Sequence, residues 1–219
     1  MGAKNNERSI INYFAMKAKT SDSDPTPYIG KSTKTGDKKW EITEKFNSID
    51  GKLVAIRHLT YENEKTEGIK NKVELKLQDE DGTINLLSSN FNNLAYGLLN
   101  SLANCNPEKI DISVWLGKAR ESDGKRFPSV GLKNNGTQVK WKYDWDKQPH
   151  PEKVPFKGKT IIDDTEVIAF WIKVIDAEIA PKLSAWENTK TTTDVEAPAP
   201  IATTPELAPT VAPDDDLPF

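Results

Sequence analysis

Residues 70–103 read KNKVELKLQDEDGTINLLSSNFNNLAYGLLNSLA, and the change of period within this stretch decides the fold. From Lys70 to Gln78 apolar and polar residues alternate. Val73, Leu75 and Leu77 point one way, and Lys70, Lys72, Glu74, Lys76 and Gln78 point the other. That is the period of a half-buried strand. Asp79-Glu80-Asp81-Gly82 makes a turn, with Gly82 free to adopt positive φ. Thr83–Ser88 then returns as the hairpin partner. After it the spacing lengthens: Phe91, Leu94, Ala95, Leu98, Leu99 and Leu102 recur as on one side of a helix. Asn90 is the expected N-cap, and Pro107 lies beyond the end.

Working outward, Lys39–Phe46 alternates, with Trp40, Ile42, Glu44 and Phe46 on one face. A turn over Asn47–Gly51 leads into KLVAIRHLTY (52–61), which is rich in β-branched and apolar residues and reads as the first core strand. Past the helix, Ile110, Ile112, Val114 and Leu116 return to period two. Glu121-Ser122-Asp123-Gly124 is a further turn, followed by a strand near Arg126–Lys133. Asn134-Asn135-Gly136 is a hairpin signal leading to an additional strand over Thr137–Trp145. The chain is therefore expected to be mainly β. Its order of three strands, a helix and two strands is that of an oligonucleotide-binding (OB) fold, a five-stranded Greek-key barrel with a helix between strands 3 and 4. Another small α+β fold is the alternative. Residues 39–146 form this domain in the reading, after a basic, flexible N-terminal arm over 1–38. A helical extension over 147–186 follows, with Val167, Ile168, Trp171, Ile172, Ile175 and Ile179 on one side, Asp163 or Asp164 as cap and Pro181 as stop. It either packs on the barrel or serves self-association into a homo-oligomer.

The chain has 219 residues and a formal net charge of −3. That average joins two unlike parts. Residues 186–219 hold seven acidic groups and one basic one, Lys190, for a net −6. The 29 basic and 26 acidic groups that remain give residues 1–185 a net +3. Residues 187–213 are dominated by Thr, Ala and Pro with no aromatic, which reads as a disordered linker. Charge and hydrophobicity return together at Asp214-Asp215-Asp216-Leu217-Pro218-Phe219. A ring for an apolar pocket, a carboxylate for Arg or Lys and aspartates for a basic rim make a peptide ligand.

This acidic hexapeptide resembles the C-terminal tip of bacterial single-stranded DNA-binding proteins. The likeness in detail covers six residues; the linker agrees in composition and placement. The extra segments around the core suit a phage-encoded or divergent member. The resemblance implies an OB fold, no enzymatic activity and a role in DNA replication, recombination and repair. It also implies that residues 214–219 dock onto partner proteins of those processes. An interaction adaptor carrying such a tip without binding DNA is the alternative.

Single-strand binding needs cations along the phosphate path and aromatic faces for bases. Lys70, Lys72 and Lys76 stand on the outward side of the second core strand. Lys118, Arg120, Lys125, Arg126 and Phe127 cluster between strands 4 and 5. Trp115 faces away from Ile112, Val114 and Leu116, either to stack a base or to pack on an extension. In the last strand Trp141, Tyr143 and Trp145 share one face and Lys140 and Lys142 the other. This is either an aromatic platform or a buried face with snorkelling lysines. Arg57 is a pocket cation or a partnered structural arginine. One cysteine, Cys105, and two histidines offer no metal site or disulfide, and no cofactor is implied. Gly30-Lys31-Ser32 lacks the leading glycine of a phosphate-binding loop, because Pro25 stands there. No membrane span or signal sequence is read, so the expected location is the cytoplasm of a bacterium or infected host.

Overall fold

The computed structural model describes residues 10–19, 24–35, 39–63, 68–121, 124–156 and 159–185. The linker and the acidic tip lie outside them. Among the described residues eleven strands and two α-helices follow in order: β1 Ile11–Lys17, β2 Tyr28–Thr35, β3 Lys39–Phe46, β4 Ser48–Asn63, β5 Gly68–Gln78, β6 Ile84–Asn90, α1 Asn93–Ala103, β7 Lys109–Leu116, β8 Pro128–Asn134, β9 Thr137–Gln138, β10 Glu152–Phe156, β11 Lys159–Asp163 and α2 Thr165–Val174. The chain is mainly β.

The alternation in β5 orients the sheet. Val73, Leu75 and Leu77 are at most 1% exposed. They meet Leu87 of β6, Leu53 and Ile56 of β4, and Ile110, Ile112 and Val114 of β7 in one core. α1 lays Leu94, Ala95, Leu98, Leu99 and Leu102 on that core, and α2 adds Val167, Trp171 and Val174. The helical path continues through a π-helical turn at Ile175–Ile179 and a 3-10 turn at Ala180–Lys182. Beyond it Ser184 N–H donates to the Val54 carbonyl, at the β-bulge of β4. Among the described residues no helix is long and apolar enough to cross a membrane.

The strand order is β3-β2-β1-β6-β5-β4-β7-β8-β9, with β10 and β11 in a separate hairpin. The core strands β4, β5, β6, β7 and β8, with α1 between the third and fourth, follow the expected order. The closure does not. β8 pairs with β7 and β9, not with β6, so the sheet is open. The edge of β6 is taken instead by β1, which runs parallel to it from Ile11↔Ile84 to Ala15↔Ser88. Within residues 1–38, read as a flexible arm, β1 and β2 are instead part of the sheet. Met16 and Ile29, too sparse to register as a hydrophobic run, alternate inward and are 3% and 0% exposed.

Three further expectations change. The α1 cap is Asn92, whose Oδ1 accepts Leu94 N–H at 3.0 Å and Ala95 N–H at 3.1 Å. A carboxamide two residues closer to the helix suits the N2 and N3 donors better than Asn90. The last strand shrinks from Thr137–Trp145 to two residues. Its turn forms as expected, with Asn135 at φ 50° and Gly136 at φ 79°, the signature of a type I′ hairpin. The chain then leaves the sheet because α1 captures its backbone. Asn100, 1% exposed, accepts from Lys142 N–H (2.9 Å) and Tyr143 N–H (2.8 Å) and donates to the Tyr143 carbonyl (2.9 Å). Asn104 donates to the Lys140 carbonyl at 3.0 Å. Finally, the 147–186 extension is not only helical, since β10 and β11 precede α2.

Candidate nucleic-acid interface

The core strands bury one side of the sheet, so the other is defined by register. Cross-strand partners run Arg57–Glu74–Ser88–Ala15–Gly30–Lys45 from β4 through β5, β6, β1 and β2 to β3. At about 4.8 Å per step this row spans roughly 24 Å. The rows beside it carry Lys76, Leu86, Tyr13, Ser32 and Ile42 on one flank and Leu59, Lys72 and Asn90 on the other. Lys17 is opposite Tyr28, Lys34 opposite Trp40 and Lys70 opposite Tyr61, all on this side.

The result is a basic and aromatic surface. Among the described outward positions of β1, β2, β3, β5, β6 and β4 from Ala55 onward, the cations are Lys17, Lys34, Lys45, Arg57, Lys70, Lys72 and Lys76. The one acid is Glu74. A β-bulge at Thr43 contributes to this bias: across it the strand changes phase, turning Glu41 and Glu44 to the opposite face while Trp40, Ile42 and Lys45 stay outward. Trp40 is 48% exposed and lies 4.9 Å from the Tyr13 ring. Lys45 Nζ sits 4.8 Å over the Tyr28 ring and Lys72 Nζ 5.9 Å from that of Tyr61. Burial, then the Glu74 charge, pushes the Tyr13 phenol up.

Of the sequence-predicted cations, Arg57, Lys70, Lys72 and Lys76 share the β4–β5 ladder on this side, with Lys76 buried at 9% exposure. Tyr13, Tyr28, Lys17, Lys34 and Lys45 were not among the predicted site residues, and Trp40 was placed only on a strand face. Their alternation in short polar strands was the available signal. Their placement depends on β1 joining β6, which local pattern does not encode.

Trp115 belongs to a second region. It is 46% exposed, with its ring over Gly131, where a Cβ would come within 2.9 Å. Together with Tyr96, Trp141, Trp145, His150 and Trp171 it lines a cleft of about 350 Å³ between α1, β7–β8, the 139–151 segment and α2. Trp145 stacks on His150 at 4.3 Å. Trp141 and Trp145 are 52% and 62% exposed. The basic loop leading into β8 borders this region, with Arg120 4.9 Å over the ring of Phe127. Lys118, Lys125 and Arg126 are exposed on the same loop.

The expected platform of Trp141, Tyr143 and Trp145 is not a strand face. Tyr143 turns inward against Phe170 and Trp171. Its hydroxyl donates to Glu178, which also pairs with Lys142 Nζ at 2.8 Å. Tyr143 and Lys142 thus hold the π-helical turn onto α1 and the 139–151 segment. Lys140 is exposed. A larger depression, about 750 Å³, is lined by Asp50, Asp79, Glu80 and Glu108 beside Lys52 and Lys109, with no aromatic residue. Four carboxylates disfavour a polyanion there. Among the described residues no group of three or more metal-ligating side chains comes together.

No family model, curated protein or solved structure matches the chain. Function therefore rests on the geometry above and on the residues of the tip.

Proposed function

We propose that this protein binds single-stranded DNA with little sequence preference and protects it during replication, recombination and repair. The observation that carries the reading is the outward sheet face, where the described positions carry six exposed or partly exposed cations, the buried Lys76 and one acid, interleaved with Tyr13, Tyr28, Trp40 and Tyr61. Cations alone would suit any polyanion. Half-exposed rings among them favour unpaired bases, whose faces are free to stack. The core β4–β8 with α1 is read as an OB core whose barrel is opened, its usual closing edge occupied by β1. The cleft of Trp115, Trp141 and Trp145 provides further stacking surface beside the cations of the 118–126 loop. The tip Asp214–Phe219 recruits replication, recombination or repair proteins and, as a tethered polyanion, competes with the strand for the basic face.

Titration with poly-dT while tryptophan emission is followed tests the reading. Quenching that saturates and weakens steeply with added salt is expected. No response at low salt and saturating protein would leave the adaptor reading in its place.

A further inference from the structure

Among the described outward positions Glu74 is the one carboxylate, and its surroundings are built. Its side chain is 12% exposed. Oε2 accepts from Arg57 Nε at 3.1 Å and from Arg57 Nη2 at 2.8 Å, while Oε1 meets Lys72 Nζ at 2.7 Å. Burial opposes the charged form, yet the bonds and charges of Lys72 and Arg57 hold the carboxyl below its ordinary range. A carboxylate offering two oxygens to a guanidinium and an ammonium resembles a phosphate offering two of its own. Arg57 and Lys72 face each other diagonally across the β4–β5 ladder, on the face proposed to carry the strand.

We propose that Glu74 is an internal stand-in for a phosphate, holding Arg57 and Lys72 in register until a strand phosphate replaces it on one of them. The inference rests on the reading of this face as a single-strand site. By charge, the trio presents +1 rather than +2 to the backbone, so two cations make the net contribution of one phosphate contact. Glu74 keeps the pair aligned and at the same time holds the affinity down, which keeps a protective coat removable by the enzymes that follow it.

Glu74→Gln keeps the size and an acceptor oxygen and removes the charge. Its expected effect on poly-dT binding is a gain of about three- to tenfold at low salt, the size of one ordinary net hydrogen bond. The plot of log affinity against log salt should steepen by about 0.7, one further phosphate on a single strand. Glu44→Gln is the control. It removes the same charge from the opposite face, where Glu44 pairs with Lys31 at 3.5 Å, and should change neither quantity. Should the uncompensated pair of cations unfold the variant, the exchange is measured in the Lys72→Gln background. There Glu74→Gln should return the slope to the wild-type value. A wild type that binds no poly-dT overturns both the inference and the reading beneath it. A binding wild type with an unchanged or shallower slope for Glu74→Gln overturns the inference alone, as does an equal gain from Glu44→Gln.

Discussion

At the scale of single residues, two aromatic side chains of similar sequence context end in opposite roles. Trp40 stays half exposed beside Tyr13, on the basic face. Trp40→Ala is expected to weaken poly-dT binding by about 1–3 kcal/mol, the range of one base stacked on a ring, with thermal stability little changed. Tyr143, by contrast, is drawn into the fold by Asn100 and bonded to Glu178. That contact sets a stability window with two edges. The bonds from Lys142 and Tyr143 hold the Glu178 carboxyl below its ordinary value of 4.5, against the burial that raises it. Below 4.5 the unfolded chain takes up the proton first, so stability present at neutral pH is lost as pH falls. Burial, then Glu178, pushes the Tyr143 phenol from 10 up to about 12. Between those values the unfolded chain loses its proton first, so stability is lost again as pH rises. Glu178→Gln should flatten the acid edge in denaturation curves measured from pH 7 to 3. The lysines of β5 were legible because a period of two leaves no choice of face. Tyr143 was not, since its alternation with Trp141 and Trp145 imitates a strand. The feature that breaks the strand is a polar side chain on a helix some forty residues earlier.

At the scale of elements, α1 seats on β8 through a glycine. A Cβ on Gly97 would lie 2.9 Å from Val130 Cγ1. In an isolated helix Gly→Ala gains up to about 1 kcal/mol. Here the methyl would meet a stiff β-branched side chain fixed in a strand, and overpacking typically costs about 1–3 kcal/mol. The steric effect prevails, so Gly97→Ala is expected to lower stability in urea denaturation rather than raise it. The order of β4 to β8 around α1 could be read from period and turn residues, because each of those signals is local. The places of β1, β2 and β3 could not. β1 has partners on both sides, but one of them is a parallel strand, which no turn sequence announces. The β10–β11 hairpin was missed for a different reason: Pro155 interrupts the strand pattern.

At the scale of the whole molecule, the division of charge matters more than its sum. Removing residues 187–219 takes away one basic and seven acidic groups and turns the net charge from −3 to +3. Tighter poly-dT binding at low salt, converging with the full chain as salt rises, is the expected outcome in parallel titrations. Equal affinities at every salt concentration would show that the tail does not compete for the face. The ladder between β1 and β6 has a consequence of another kind, for the order in which the molecule is made. Asn12 donates to Asn85 across 73 residues of chain. At about 5–20 residues per second the ribosome needs roughly 4–15 s to deliver that partner. A sheet of β1, β2 and β3 formed before then would have nothing to cover its inner face, with Met16 and Ile29, and an open edge able to pair with a neighbour's. The yield of native protein is then expected to fall when translation is slowed between β3 and β6, although the finished fold shows no sign of that exposure.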